Sequence, residues 1–348
     1  MLNMKAAILV RQNSDLVMDT VEIPQHLDYG QVLVKLFYSG ICGSQIGEID
    51  GVKGEDTYLP HLLGHEGSGI VIEIGKGVKY LKLGDHVVLH WRKGQGIDAA
   101  PPVYQWKSKP LNAGYVTTFN DYAIVSENRL TAIPKDFDMK LATLFGCALT
   151  TGFGVISNNA NLKIGESVVI FGAGGVGLSE IQAASMVSTY PIIVVDIYDN
   201  KLEMAKRFGA SHLINSKTSA NVEGQILNII GNEGTDVAID NTGDTNAIAL
   251  AYKLTKSQGK TILVGVPKKG EEITINSLPL HFGKIITGSH GGECNPTVDI
   301  PNYLRLYKAG LLKLVGLISD EFALQEINIA IEKMRRGEIA GRCLVAMN

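Results

Sequence analysis

Cysteine is scarce in this sequence, which has four in 348 residues: Cys42, Cys147, Cys294 and Cys343. They are far apart and show none of the spacings of a disulfide framework, which favours a reduced, cytoplasmic protein. In such a protein, a cysteine in a polar loop is better suited to bind a metal or act as a nucleophile than to form a disulfide.

Long apolar runs and an excess of charge are also missing. No run reaches the roughly 18 residues of a transmembrane helix. The N-terminal segment MLNMKAAILVRQNSD is interpreted as a first strand, because its short apolar patch has no small-residue cleavage site. The formal net charge is -3, so nothing favours nucleic acid or an anionic membrane as a partner. We therefore expect a globular protein with neither nucleic acid nor a membrane as its partner.

Glycine, by contrast, is abundant, with 39 residues, and it separates two kinds of pattern. Up to about residue 150, short β-branched segments alternate with Gly, Pro and Asp turns, which predicts an antiparallel, barrel-like β region. Beyond it, apolar strands alternate with helical stretches, which predicts a parallel sheet covered on both faces. We predict domains at 1–149 and 150–290, with residues 291–348 returning to the first domain.

The segment VVIFGAGGVGL is the clearest local motif. Gly172, Gly174 and Gly177 form G-x-G-x-x-G between a strand and a helix, so that a backbone turn can approach a pyrophosphate at the helix N-terminus. The next strand ends at Asp196, whose carboxylate would bind the adenosine ribose hydroxyls and repel a 2′-phosphate. The motif predicts a dinucleotide site that prefers NAD to NADP. The alternative is a glycine turn without a dinucleotide.

Three possible metal ligands lie in glycine-bordered loops at the ends of elements: Cys42, His65 and Cys147. A catalytic zinc ion takes three such nitrogen and sulfur ligands together with water, and these ligands need not be close in sequence. A single histidine is more often a structural residue than a ligand, so a structural role for His65 stays open at this point.

The segment GHEGSGIVIEIGKGV, residues 64–78, resembles the signature of the zinc-dependent alcohol dehydrogenases of the medium-chain dehydrogenase/reductase family. The resemblance covers essentially the whole chain, including GDHVV, GAGGVG, VVDI, VGVP and GRCLVAMN. It implies a GroES-like, β-rich catalytic domain and a Rossmann domain with a doubly wound parallel sheet, with the active site in the cleft between them. It also implies NAD-linked oxidation of an alcohol to an aldehyde or ketone, by a homodimer or homotetramer.

The resemblance assigns individual roles. The zinc ligands it implies are Cys42, His65 and Cys147. Ser44 matches the hydroxyl that takes the proton of the alcohol, and Glu66 matches a carboxylate next to the metal. The positions that match cofactor contacts are Thr151, Gly172, Gly174, Gly175, Val176, Gly177, Asp196, Lys201, Val264 and Arg342.

The sequence departs from the family pattern at three places. Gln45 stands where most members carry an aspartate near the zinc, so the ligands are expected to be oriented by another group. Gly47 stands where members carry an outer proton-accepting histidine, which leaves water, His61 or His90 to receive the proton. The lobe after GDHVV contains no cysteine, so one catalytic zinc per subunit is expected and no structural zinc.

Two features concern the substrate. Trp91 matches a pocket-lining aromatic residue, and Cys147 stands where polyol dehydrogenases usually carry glutamate, which favours simple alcohols and aldehydes. The loop 92–109 contains four basic residues and one acidic residue, which suits either an anionic substrate or a solvated surface. A polyol or sugar-alcohol dehydrogenase is the alternative. A non-enzymatic, crystallin-like role would not require the three ligands and Ser44 together.

Overall fold

The computed structural model describes residues 2–347. The chain divides into two compact units. The first comprises Met1–Cys147, Asn295–Ala309 and Leu314–Asn348, and the second comprises Ala148–Cys294 and Gly310–Lys313. Along the chain, the second unit is thus inserted into the first.

The strands, in chain order, are β1 (Asn3–Leu9), β2 (Val17–Glu22), β3 (Gln31–Ile41), β4 (His61–Leu62), β5 (Glu66–Ile74), β6 (His86–His90), β7 (Tyr104–Trp106), β8 (Lys109–Leu111), β9 (Tyr122–Ser126), β10 (Leu130–Ile133), β11 (Val168–Phe171), β12 (Ile192–Asp196), β13 (His212–Asn215), β14 (Thr235–Asp240), β15 (Thr255–Leu263), β16 (Ile285–Gly288), β17 (Ile318–Ala323) and β18 (Arg342–Ala346).

The α-helices are α1 (Gly43–Ile49), α2 (Met139–Ala142), α3 (Ala148–Gly154), α4 (Gly175–Met186), α5 (Asp199–Phe208), α6 (Val222–Ile230), α7 (Thr245–Leu254), α8 (Pro296–Lys308) and α9 (Ile327–Arg335). Short 3-10 segments are Glu127–Arg129, Thr143–Gly146, Leu278–Phe282, Gly291–Glu293 and Leu324–Glu326, and Val155–Ala160 is a π-helical turn.

The first unit contains two sheets. One has five strands in the order β4-β1-β2-β7-β8, and the other has seven, in the order β10-β6-β5-β3-β18-β17 with β9 also paired to β3. All of these pairs are antiparallel except β17 with β18. The antiparallel β region predicted from the sequence is therefore present, and the C-terminal strand β18 pairs with β3.

Strand β3 is central to the first unit because its side chains alternate between two cores. Val32 and Val34 pack in one apolar cluster, while Leu33, on the opposite face, packs in another. Burial on both faces accounts for the apolar sequence QVLVKLFYSGI. The strand ends at Ile41, so a firmly packed element fixes the position of the next residue, Cys42.

The second unit is a single six-stranded sheet in the order β13-β12-β11-β14-β15-β16. Every pair in it is parallel, and strands β11 and β12 are buried along their full length. The strand order reverses between β11 and β14, and such a reversal opens a crevice at the carboxyl ends of the strands. The predicted doubly wound sheet is confirmed, and the glycine motif follows β11 at this reversal.

Within residues 2–347, no single helix is long and apolar enough to cross a membrane. The consecutive stretches Met139–Gly146 and Ala148–Ala160 pass the length and composition test only when they are taken as a pair.

Candidate metal centre and dinucleotide loop

Three elements of the first unit bring two thiols and an imidazole together. Cys42 lies between β3 and α1, His65 immediately precedes β5, and Cys147 follows the 3-10 segment Thr143–Gly146. Their possible ligand atoms all lie within 4.8 Å of one another. The structure thus brings together the three ligands expected from the sequence, although they are separated by many residues along the chain.

The turn before His65 depends on glycine. Gly64 has a φ of +95°, and a Cβ at this position would lie 2.3 Å from Thr118 Oγ1 and 2.7 Å from the Thr118 backbone nitrogen. A larger residue would be strained by its backbone and would also clash with fixed atoms. The glycine therefore lets the chain turn so that His65 faces the two thiols.

The electrostatics of this site favour a thiolate. A hydrogen bond with Cys147 lowers the pKa of Cys42 well below its usual value, and His65 and the Arg342 guanidinium act in the same direction against the cost of burial. The thiolate is the form that binds metals. His65 Nε2 is buried and has no hydrogen-bond partner among the described residues. Two thiols with a ring nitrogen that lacks a partner are a donor set suited to a zinc ion.

The side chain of Gln45 contacts two of the three ligand residues. Its side chain is buried, its Oε1 accepts a hydrogen bond of 2.9 Å from the Cys42 backbone nitrogen, and its Nε2 contacts His65 Nδ1. The group that contacts the ligands in place of the family's aspartate is thus Gln45 itself. A glutamine side chain at this position is long enough to reach both ligands from the first turn of α1.

The glycine motif in the second unit has the geometry that a phosphate-binding turn requires. Gly172 has a φ of +91°, and a Cβ on Gly177 would lie 2.0 Å from the Gly172 carbonyl oxygen. Gly174, by contrast, faces open space, with no heavy atom within 4 Å of its Cβ position. The first and third glycines are thus required by the turn itself, while the second keeps a surface free for a ligand.

Asp196, at the end of β12, supports this turn. Its two carboxylate oxygens accept hydrogen bonds from the backbone nitrogens of Ala173, at 2.8 Å, and Tyr198, at 3.0 Å. Each oxygen has a second lone pair that could accept a further hydrogen bond. Lys201 lies on α5, with its Nζ 4.9 Å from the centre of the Tyr198 ring.

Sequence comparison agrees with both halves of this description. Residues 28–135 match the family described as "Alcohol dehydrogenase GroES-like domain", and residues 175–309 match "Zinc-binding dehydrogenase". An S-(hydroxymethyl)glutathione dehydrogenase of Aspergillus oryzae is 30% identical to the chain over 370 residues, covering 99% of this chain and 96% of the relative. The chain belongs to the zinc-type alcohol dehydrogenase family.

Other members of the family are similarly related. Alcohol dehydrogenase 1 of Trifolium repens is 29% identical over 372 residues, with 99% of this chain and 97% of the relative covered. The crystal structure of benzyl alcohol dehydrogenase from Acinetobacter calcoaceticus has a TM-score of 0.89 and 29% identity, and all of both chains is covered. A zinc-binding domain protein of Burkholderia ambifaria has a TM-score of 0.90 and 28% identity over 100% of this chain and 99% of the other.

The remaining residues predicted for the family's metal site differ in their surroundings. The Ser44 hydroxyl is buried and has no hydrogen-bond partner among the described residues. The Trp91 ring lies 6.4 Å from the His65 ring, centre to centre, and is tilted against it by 55°. Ser44 is therefore close to the ligand Cys42 in sequence, and Trp91 is close to the ligand His65 in space.

Glu66 and Arg342 form an ion pair. The Glu66 side chain is fully buried, and Arg342 is nearly so. A buried charge of this kind is stable only with its partner, because removing either leaves the other uncompensated. The pair ties β5 to β18, next to the thiols. The family resemblance implies a cofactor contact for Arg342. In the structure, the partner of its side chain is the Glu66 carboxylate.

Both histidines considered as substitute proton acceptors are already hydrogen-bonded at each nitrogen. His90 is fully buried, its nitrogens lie 2.7 Å from the Arg92 carbonyl oxygen and 2.9 Å from Thr131 Oγ1, and burial lowers its pKa to about 4. His61 contacts Asp56 at 2.7 Å and the Leu62 carbonyl oxygen at 2.9 Å. Burial makes His90 a poor acceptor of a further proton, whereas both partners of His61 are oxygen atoms that accept hydrogen bonds.

The basic loop is partly neutralised by its own contacts. Lys93 pairs with Asp98 at 2.5 Å, and Lys107 lies 3.4 Å from Asp19 and 4.5 Å from the centre of the Trp106 ring. In the same lobe Tyr104 is fully buried, and its hydroxyl accepts a hydrogen bond of 2.9 Å from the Ile124 nitrogen. Aromatic and ionic contacts thus hold a lobe that contains no cysteine.

A buried polar pair beside the glycine loop was not predicted from the sequence. Glu180 on α4 is fully buried, and its carboxylate accepts a hydrogen bond of 2.7 Å from Asn241 Nδ2. Burial raises the pKa of Glu180 to about 8, and the charge of Asp240 adds to the shift. The available clue was that Glu180 is the one charged residue of α4, the helix that follows the glycine motif.

The other predicted cofactor positions lie around this loop in the second unit. The Thr151 hydroxyl on α3 is buried and has no hydrogen-bond partner among the described residues. Gly175 and Val176 open helix α4, and the Val264 nitrogen donates a hydrogen bond of 2.8 Å to the Asp240 carbonyl oxygen at the end of β14.

Proposed function

We propose that the chain is a zinc-dependent, NAD-linked dehydrogenase that reversibly oxidises an alcohol to an aldehyde or ketone. The observation that carries this proposal is the set of two thiols and one imidazole within 4.8 Å, with His65 Nε2 buried and lacking a partner. The activities named for its relatives, S-(hydroxymethyl)glutathione dehydrogenase and alcohol dehydrogenase, support the same class of reaction.

Cys42, His65 and Cys147 would hold the metal. A zinc ion bound there supplies Lewis-acid chemistry that lowers the pKa of an alcohol toward neutrality. Ser44, two residues after Cys42, takes the alcohol proton at its hydroxyl oxygen. Because Gly47 offers no acceptor, the proton would then pass to water or to a ribose hydroxyl of the bound cofactor. Trp91 limits the width of the site.

The glycine loop Gly172–Gly177 would hold the pyrophosphate of NAD at the N-terminus of α4. Asp196 would bind the adenosine ribose through its free lone pairs and exclude a 2′-phosphate by charge repulsion. Neither Ile197 nor Tyr198, the next side chains, carries a positive charge that would offset this repulsion. NAD held there would supply the hydride acceptor for the reaction.

We propose small aliphatic or aromatic alcohols as substrates. Cys147 in the ligand set and Trp91 beside His65 support this class over polyols. The similarity to a benzyl alcohol dehydrogenase, which extends over both chains in full, is in line with an aromatic alcohol. A polyol dehydrogenase remains the second candidate, on the resemblance alone.

We also propose a cytoplasmic homo-oligomer. The edge strand β16 of the six-stranded sheet supports association, because Ile285 is 43% exposed and the neighbouring Phe282 is 66% exposed. An uncovered apolar strand edge is a typical site of strand pairing between chains. Light scattering on the purified protein tests this, and a monomer would contradict it.

The activity itself is tested with a panel of primary, aromatic and polyol alcohols, with NAD at alkaline pH. We expect NADH formation with primary and aromatic alcohols, its loss after chelation and its return when zinc is added. The Cys42→Ala variant should lose turnover and still bind NADH, since the glycine loop belongs to the other unit. Turnover that survives both chelation and the substitution would contradict the zinc-dependent reaction.

A further inference from the structure

The amide oxygen and the amide nitrogen of Gln45 contact two different partners. At one end, Oε1 accepts a hydrogen bond of 2.9 Å from the backbone nitrogen of Cys42. At the other end, Nε2 contacts His65 Nδ1. With only 2% of the residue exposed, water does not compete for either contact.

The first contact fixes the orientation of the amide. The Cys42 backbone nitrogen is a donor only, so the amide oxygen has to face it. The amide nitrogen therefore faces His65, and because an amide nitrogen donates but does not accept, Nδ1 has to be the acceptor. A neutral imidazole that accepts at Nδ1 carries its proton on Nε2.

We propose that Gln45 holds metal-free His65 in the tautomer that is protonated on Nε2, and that it thereby weakens the binding of zinc. This inference rests on the proposed function, because it concerns the same ligand set. Nε2 is the ring nitrogen without a partner among the described residues, so it is the one that would bind a metal. Metal binding at Nε2 requires that nitrogen to be unprotonated, and the proton then moves to Nδ1.

Once the proton is on Nδ1, two donors face each other. The Nδ1–H and the Gln45 amide N–H then have no acceptor between them, unless the amide rotates. Rotation turns the oxygen toward His65 but sets the amide nitrogen against the Cys42 N–H, so the mismatch moves and does not disappear. One hydrogen bond is lost in either arrangement. Gln45, the residue that contacts both ligands, therefore also opposes the binding of zinc to them.

The substitution Gln45→Glu tests this directly, because glutamate has the same shape and replaces the amide donor with a second acceptor. One carboxylate oxygen can accept from the Cys42 N–H, and the other from Nδ1–H of a metal-bound His65. We expect the zinc dissociation constant, measured by competition with a chromophoric chelator, to fall by about 10- to 100-fold, the usual effect of such an outer partner.

The matched control is Gln105→Glu. Gln105 is exposed on β7 and is not in contact with the ligands, so this variant adds the same charge without an acceptor at His65. Its zinc affinity should equal that of the unmutated chain. An equal tightening in both variants would overturn the proposal, because the effect would then be one of net charge.

A second measurement needs no zinc. In the metal-free protein labelled with ¹⁵N-histidine, and with His65 assigned by comparison with His65→Asn, the spectrum should show the proton of the neutral ring on Nε2. Finding that proton on Nδ1 would overturn the proposal. If neither chain binds zinc, the proposed zinc-dependent function fails, while the spectrum still decides the tautomer.

Discussion

At the residue scale, the carboxylate of Asp196 decides which cofactor we expect the chain to prefer. Asp196→Ser should lower the preference of kcat/KM for NAD over NADP by about 100-fold, because a repulsion of a few kcal/mol with the 2′-phosphate is removed. The substitution also frees the backbone nitrogens of Ala173 and Tyr198, which loosens the turn for both cofactors. The ratio of the two kcat/KM values is therefore the quantity to measure, and an unmutated enzyme that uses NADP equally well would refute this role.

In the proposed mechanism, Gly47 leaves Ser44 without an imidazole to receive the alcohol proton. A Cβ added to Gly47 would lie 3.6 Å from Val52, which leaves room for a side chain. We expect Gly47→His to raise the rate of alcohol oxidation at neutral pH by about tenfold or less, and to have little effect above about pH 9, where hydroxide replaces the base. This holds when proton transfer limits the rate.

Profiles of kcat/KM against pH for both proteins check this prediction. The unmutated enzyme should rise toward alkaline pH without a step near the ordinary histidine value of about 6.5. Such a step, removed by His61→Ala or His90→Ala, would identify a histidine as the acceptor and contradict the solvent route.

Glu180 links the stability of the chain to pH. Its pKa of about 8 in the folded chain lies above the value of about 4.3 for an unfolded glutamate. Between these values the folded chain keeps a proton that the unfolded chain releases, so this group's contribution to stability falls as pH rises, by at most about 1.4 kcal/mol per pH unit.

Glu180→Gln keeps an acceptor for Asn241 and removes the titration. In urea denaturation at about pH 5.5 and about pH 7.5, the unmutated protein should lose stability relative to the variant as pH rises. A constant difference between the two proteins across this range would show that Glu180 is ionised in the folded state.

At the scale of elements, Gly174 and Gly177 differ in what a methyl group would meet. Gly177→Ala places Cβ against the Gly172 carbonyl oxygen and should destabilise the protein by about 1–3 kcal/mol. Gly174→Ala meets no protein atom, so it should keep the unmutated stability and weaken NADH binding by occupying the space of the pyrophosphate. Measured stability and NADH affinity separate the two, and tight NADH binding by Gly174→Ala would contradict the predicted site.

Elements with strong patterns could be predicted from the sequence. The strand Val168–Phe171 and the helix after the glycines lie where the apolar run and the motif predict them. A parallel strand that is buried on both faces requires an almost continuous apolar run, which is easy to recognise in a sequence. The glycine-bordered loops made Cys42, His65 and Cys147 candidate ligands, and the family resemblance grouped them into one site, since spacing along the chain does not show that they meet.

Contacts that depend on long-range packing could not be predicted. Gln45 was noticed as a departure, but its contact with His65 depends on how α1 packs near the start of β5. The hydrogen bond of Glu180 with Asn241 joins α4 to the loop after β14, 61 residues away. A polar residue in an apolar helix indicates that a partner exists, but not which residue it is.

At the scale of the whole molecule, the chain folds as a β-rich unit into whose sequence a parallel-sheet unit is inserted. The proposed function assigns metal binding to the first unit and cofactor binding to the second. The first unit holds the thiols and the imidazole. The second holds the glycine loop and Asp196. Substitutions at the ligands should therefore affect metal content and turnover, and substitutions at the loop should affect cofactor affinity.

The most direct test of this account is the zinc content of the purified chain, measured by elemental analysis for the unmutated protein and for Cys42→Ala. We predict one zinc ion per chain in the unmutated protein, since residues 2–347 bring together one set of two thiols and an imidazole and the lobe after β6 has no cysteine. We predict almost none in the variant. Two zinc ions per chain, or an active protein with none, would contradict this account.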